Sequence, residues 1–192
     1  WVSSNNAIAT VTNAAVVTGV VAGTATFSFT QTSTGCSNTT SAVTVNALPT
    51  VSITGSTSVC VGSTTTLSPT TGGTWVSSSN AIATVTNAGV VTGVAAGTAT
   101  FTFTQTSTGC NRTTASLTVN ALPTVSYSGL AASYCENAGA VTLTGSPTGG
   151  SFSGPGISGN TFNPATAGIG GPYTITYSYT NGNGCTNTSI QT

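Results

Sequence analysis

Five cysteines and two charged side chains make up nearly all the reactive chemistry of this 192-residue chain. The cysteines stand at 36, 60, 110, 135 and 185, the charged residues are Arg112 and Glu136, and there is no His, Lys or Asp. Acid–base catalysis and metal binding draw on groups of such residues gathered in one site. Glu136 has no second carboxylate, the thiols have no imidazole to activate them, and Arg112 alone makes no phosphate-binding patch. The reading is therefore of a chain that is not an enzyme, holds no cofactor or metal and does not bind nucleic acid.

What cysteines can still do is cross-link. Cys60 and Cys110 lie 50 positions apart, and so do Cys135 and Cys185. Equal spacing predicts one bridge inside each structural unit, Cys60–Cys110 and Cys135–Cys185. Closing a loop of about 50 residues contributes on the order of 4 kcal/mol by the entropy removed from the unfolded chain. The alternative is five buried free thiols. Bridges imply an oxidising, extracytoplasmic compartment. Cys36 is left unpaired, because its partner by the same spacing would precede residue 1.

The elements that must position these cysteines come in repeats. Residues 1–50 match residues 75–124 at 41 of 50 positions, from Trp1 against Trp75 to the NALPT that closes both stretches. A third, diverged copy follows, with VSYSGLAASYC at 125–135 answering VSITGSTSVC at 51–60 and TGGSF at 148–152 answering TGGTW at 71–75. The expected division is residues 1–46 as the C-terminal half of a unit, 47–120 as a complete unit and 121–192 as a nearly complete one. By comparison with 47–74, about 28 residues of the first unit lie outside this chain. The expectation is that the chain is a piece of something longer, or that a neighbour fills the gap.

Within a unit every signal is β. In GTATFTFTQTS, residues 97–107, apolar Ala99, Phe101 and Phe103 alternate with Thr, which is the period of a half-buried strand. PYTITYSYT, residues 172–180, does the same around Ile175. Strand formers abound, good helix formers are scarce, and no segment reads as a helix. Turn residues recur at NAG, STG, SPTTGG and NGNG and cut each unit into six or seven strands. The expected fold is a row of Greek-key β-sandwiches, immunoglobulin-like, with a barrel or a solenoid as the runner-up. Trp1, Trp75, Phe101, Phe103, Phe152 and Ile175 are the expected core residues, with sugar stacking as the alternative role for the tryptophans.

The surface is unusual: 1% of residues are charged, against roughly 25% in ordinary domains. Yet 38% are apolar and in ordered patterns, so the chain is expected to fold and to need a partner, a polymer or a sugar coat. Asn38, Asn111 and Asn187 are sequons just after the late cysteine of each unit and are the candidate glycan sites. No apolar run approaches the ~20 residues that span a bilayer, so no membrane insertion is expected of this segment. Nor does this segment show the charged n-region followed by an apolar stretch that would mark a signal peptide, so it is expected to be mature or internal.

The stretch TWVSSSNAIATVTNAGVVTGVAAGTATFTFT, residues 74–104, resembles the bacterial immunoglobulin-like repeat of group 2 found in tandem in intimin- and invasin-type surface proteins. It follows the W-x-S-S-N-x-x-I-A-T-V core with Ser79 in place of the Asn, a core that residues 1–11 match in full, and then carries G-V-V-T-G and A-x-G-T-A-T. Residues 148–187 resemble related repeats of giant secreted adhesins of the Bacteroidota, including those of gliding motility. The resemblance implies an extracellular, very long surface protein whose partners are neighbouring repeats of the same chain or copies of itself. Calcium held between domains in some relatives is not carried over, since the acidic ligands are missing. The short Pro-containing joints NALPTVS at 46–52 and 120–126 favour a rigid, disulfide-stapled adhesin stalk. The alternative is a building block of a self-associating filament or sheath. With Arg112 its only trypsin site, such a segment would be durable.

Overall fold

Thr and Ser alternating with Val, Phe and Tyr leave each segment one apolar face, and such faces are buried by stacking sheets on one another. The computed structural model describes residues 1–192. The first unit has β1 (Val2–Ser3), β2 (Ala9–Val11), β3 (Val17–Gly19), β4 (Gly23–Ala25), β5 (Phe27–Thr30), β6 (Ser37–Thr39) and β7 (Val43–Val45). The second has β8 (Ser52–Ile53), β9 (Ser58–Cys60), β10 (Thr64–Ser68), β11 (Gly73–Ser77), β12 (Ala83–Val85), β13 (Val90–Gly93), β14 (Gly97–Ala99), β15 (Phe101–Gln105), β16 (Asn111–Thr113) and β17 (Leu117–Asn120). The third has β18 (Ser126–Ser128), β19 (Val141–Thr142), β20 (Thr144–Ser146), β21 (Ser151–Ser153), β22 (Ile157–Ser158), β23 (Thr161–Phe162), α1 (Pro164–Ala167), β24 (Ile175–Thr180) and β25 (Thr186–Gln191).

The second unit shows the plan in full. One sheet runs β12-β13-β10-β8; the other is made of β11-β15-β16 and, continuing it, β14-β17-β9. That is the ABED-against-CFG strand order of an immunoglobulin sandwich, with the first strand split so that β9 crosses over and runs parallel to β17. Strands β14 and β15 form one extended run broken at Thr100, whose N–H and C=O turn to Ser78 instead of a strand neighbour. Leu67, Trp75, Val91, Phe101, Phe103 and Leu117 lie in the core between the sheets.

Trp75 stacks against Phe103 at 5.1 Å between ring centroids, and its indole N–H donates to the Pro69 carbonyl at 2.8 Å. In the third unit Phe152 replaces the Trp and pairs in register with Tyr177, as Trp75 does with Phe103. Phe152 has no donor, and the Tyr177 hydroxyl instead donates to the Pro147 carbonyl. The polar contact is thus kept while its donor moves to the neighbouring strand. Ile175 and Phe162 complete that core, with Phe152 half-buried at its edge.

One element departs from the all-strand expectation. Asn163 caps the short helix α1 by accepting from the Ala165 N–H, and Pro164 supplies a pre-set φ at its first position. The N-P signal was present in the sequence, but four residues are too few for a helical period to register.

The first unit holds only three fully buried apolar residues, Ala9, Ala25 and Phe27. Its sheets β1-β5-β6, β2-β3 and β4-β7 have no counterparts of β8, β9 and β10 in this chain. Trp1 is half-exposed and leans on Phe29 at 5.1 Å.

Two outcomes follow from this packing. A Cβ at Gly73 would run into the Thr104 carbonyl and the Phe103 ring, whereas one at Gly139 meets nothing. Gly73→Ala should therefore cost about 1–3 kcal/mol in thermal unfolding, the usual range for overpacking, and Gly139→Ala should leave the transition in place. Tyr127 donates its buried hydroxyl to the Ile175 carbonyl, and burial pushes its phenol above 10.0, partly offset by a hydrogen bond from the Gln191 backbone. Because the unfolded phenol ionises first, this stabilisation is intact below pH 10 and is lost as pH rises through the folded value. The third unit should lose stability in alkaline melts above that pH, and Tyr127→Phe should weaken the dependence.

Candidate functional site at the joint between repeats

The structure pairs the cysteines differently from the equal-spacing expectation. The bridge joins Cys60 to Cys185, with 5.6 Å between Cα atoms and 125 residues between the partners. Cys110, Cys135 and Cys36 are free thiols, the first half-buried and the others exposed. The Cys60–Cys110 and Cys135–Cys185 pairs are not made.

The reason is the long strand. Cys60 pairs with Asn120 at the Gly97 end of the β14–β15 run, where Gly97 faces Val119 and Val119 faces Val59. Cys110 sits at the other end, its carbonyl accepting from the Gln105 N–H. Eight extended steps separate Gly97 from Gln105, on the order of 26 Å at about 3.3 Å per residue. A disulfide tolerates at most roughly 7 Å between Cα atoms. The early and late cysteines of the second unit therefore stand at opposite ends of it, and Cys60 reaches the late cysteine of the third unit instead.

The rest of the joint is built by the β24–β25 hairpin of the third unit. Asn181 opens the turn: its side-chain oxygen accepts from the N–H groups of Asn183 and Cys185, both at 3.0 Å, which fixes the backbone around Cys185. Its side-chain nitrogen donates to the Ala121 carbonyl of the linker at 3.2 Å. Asn187 does likewise to the Pro123 carbonyl at 2.9 Å. Cys185 is fully buried. One hairpin thus grips the linker by two amides and the second unit by a covalent bond. On the far side Asn120 donates to Ser58 at 2.6 Å and ties the Cys60 strand to β17.

The amide nitrogen of Asn187 that a glycan would occupy is the one that donates to Pro123, whereas Asn38 and Asn111 lie exposed on β6 and β16. Sequence reading missed Asn181 altogether, and it took Asn187 for a glycan site only. Their signal lay in the NGNGC turn and in the amide placed two residues past the cysteine. In the second unit's late hairpin the corresponding side-chain bonds stay local, from the Thr108 hydroxyl to the Gln105 side-chain oxygen and from the Cys110 N–H to Thr108.

A separate cleft of about 370 Å³ in the third unit is lined by Leu130, Tyr134, Glu136, Phe162, Ile175 and Thr192 among others. It brings Glu136 no second titrating partner of catalytic use, and no three potential metal-ligating side chains gather anywhere. No helix is long and apolar enough to cross a membrane.

No family model and no curated protein matches the sequence. Among solved structures, the chain is similar to domains 4 and 5 of the S-layer protein SbsC at 25% identity, over 61% of this chain and 68% of that one, with a TM-score of 0.23. It is also similar to surface layer protein SbsC domains 1–6, at 18% identity over 100% of this chain and 32% of that one, with a TM-score of 0.27. Domains 4–9 of the same protein give 18% identity over 98% of this chain and 38% of that one, at 0.28. Scores this low do not superpose the chains as wholes, and the likeness carries no weight for function.

The joint makes a stability prediction. Loop-closure entropy for a bridge across more than 100 residues is worth up to about 5 kcal/mol. Cys60→Ser and Cys185→Ser should each lose a similar amount in denaturant unfolding of the oxidised chain, and the double variant should lose no more than either single one. Cys110→Ser should stay within about 0.5 kcal/mol of the parent.

Proposed function

We propose that this chain is a structural repeat segment of a very long extracellular bacterial surface protein, acting as a rigid, disulfide-stapled stalk of an adhesin. Its units are residues 1–46, 47–120 and 121–192. The observation that carries the reading is the Cys60–Cys185 bridge, which spans a joint and so resists bending and twisting between neighbours. A bridge inside a sandwich would stabilise a domain and leave its joints free. Disulfides of this kind persist in oxidising surroundings, which supports a location outside the cytoplasm. With Pro123 fixing the linker backbone and two amides holding it, load on the chain passes through covalent and hydrogen-bonded contacts at the joint.

The surface suits such a part. Outward hydroxyls pair across strands: Ser28 with Thr39 at 2.7 Å, Thr102 with Thr113 at 2.8 Å and Thr180 with Thr186 at 2.8 Å. A second reading, a building block of a self-associating filament or sheath, is favoured by one observation. A single Arg and a single Glu in 192 residues leave charge little opposition to chains packing side by side.

Small-angle scattering with sedimentation separates the two. A compact chain of this length has a radius of gyration of about 16 Å. The stalk reading predicts a monomer with a value well above that, and a rise in flexibility when dithiothreitol opens the bridge. A compact monomer would sink the stalk, and regular fibres in electron micrographs would favour the filament.

A further inference from the structure

The third unit keeps the plan of the second but lengthens one wall of it. In the second unit Leu67 donates its N–H to the Gly89 carbonyl, and Pro69, whose carbonyl takes the Trp75 indole N–H, follows two positions later. In the third Leu143 donates to the Asn160 carbonyl, but the matching proline carbonyl is that of Pro147, four positions later. The added length lies in β20, where the Gly145 backbone rests on the Tyr177 ring; a Cβ there, or at Gly150, would run into that ring. Phe152, in the register position of Trp75, lacks the second ring. A longer wall and a smaller aromatic residue leave a cleft of about 200 Å³ between Thr142–Gly145 and the turn at 148–150.

The lining of this cleft has a definite chemistry. Its floor is the half-buried Phe152, held edge-on to Tyr127 at 5.3 Å and tilted against Tyr177 at 4.5 Å between ring centroids. Thr142, Thr144, Thr148 and Asn160 stand exposed around it. Elsewhere on this surface hydroxyls that face one another across strands pair, as Thr54 does with Thr66 at 2.9 Å and Thr102 with Thr113 at 2.8 Å. The rim side chains of the cleft have no such partner in the protein, so their donors and acceptors face whatever enters. The Tyr177 hydroxyl, by contrast, is already used by the Pro147 carbonyl and the Gly150 N–H. No charged side chain lines the cleft.

We propose that this cleft binds a single neutral carbohydrate ring, with a C–H face of the sugar against Phe152 and its hydroxyls on Thr144, Thr148 and Asn160. The negative face of an aromatic ring attracts polarised C–H bonds, and hydroxyl and amide groups donate and accept as sugar hydroxyls require. A charged ligand would find no counter-charge, and a purely apolar one would leave the rim groups without partners. Clefts that take drug-sized ligands run to about 300–1,000 Å³, so one this small suits one ring. The proposal goes beyond the stalk reading, since it gives the third unit a ligand of its own. The second unit, where Trp75 reaches the Pro69 carbonyl, is not expected to share it.

The test uses the full oxidised chain. It is titrated with the methyl glycosides of glucose, galactose, mannose and N-acetylglucosamine and, separately, with cyclohexanol, while backbone amides are followed by proton–nitrogen NMR. At least one glycoside should shift the amides of Thr144, Thr148, Gly149 and Gly150 saturably, with a dissociation constant on the order of millimolar. Cyclohexanol, with one hydroxyl, should bind at least about five-fold more weakly. Thr144→Val, Thr148→Val and Asn160→Ala combined, all at exposed side chains, should weaken the glycoside about five-fold or more. Phe152→Trp, which copies the residue of the second unit, should abolish binding by filling the cleft. No saturable shift with any glycoside overturns the proposal. So does cyclohexanol binding equally well, which would make the cleft an apolar groove only. Shifts that survive both the rim variant and Phe152→Trp overturn the site. Each of these results leaves the stalk reading standing, which answers separately to the scattering measurement.

Discussion

A single extended strand, Gly97–Gln105, sets the terms for this molecule. It is long enough to serve three partner strands, β17 along its first half and β11 and β16 along its second. That length puts the early cysteine at one end of the sandwich and the late cysteine at the other. Neither can reach the other, so sulfur chemistry is directed out of the unit and across the joint. A feature that looks like internal reinforcement becomes a link between neighbours. The amide contacts of Asn181 and Asn187 to the linker then hold in place the hairpin that presents Cys185.

The second constraint is cover. Each unit has a small core, and side chains such as Val91 are buried in it only where the strands equivalent to β8, β9 and β10 lie beside their own. Val17 and Val91 occupy the same place in nearly the same sequence, and only one is buried. In a fold this small, stability depends on every strand being supplied, by the same chain or by another. The nearly uncharged surface is kept satisfied by hydroxyl pairs between strands, and no buried side-chain polar atom lacks a partner.

Much of the fold could be read from residues alone. The Thr alternation around Phe101 and Phe103, the turns and the 74-residue period lead to an all-β chain of small sandwiches, and the structure is one. The cysteine pairing could not be read in the same way. A spacing of 50 records only that each unit keeps both cysteines, and this holds equally for bridges within units and between them. Choosing between the two requires the direction and length of the strand that separates them, which is a property of the folded sheet. The Asn181 and Asn187 contacts were hidden for a related reason, since their acceptors lie some 60 residues earlier in the chain. The exchange of Trp75 and Phe103 for Phe152 and Tyr177 shows the same point in the core: the two positions make sense only as a facing pair.

Arg112 lies between Cys60 and Cys185 in the sequence and offers trypsin its one site. Cutting the oxidised chain there, with free thiols blocked, and running the products without and with reductant tests the cross-joint bridge most directly. The account predicts that residues 1–112 and 113–192 stay joined until dithiothreitol is added and then separate. Bridges confined to single units would leave the two fragments apart without any reductant, and that result would contradict it.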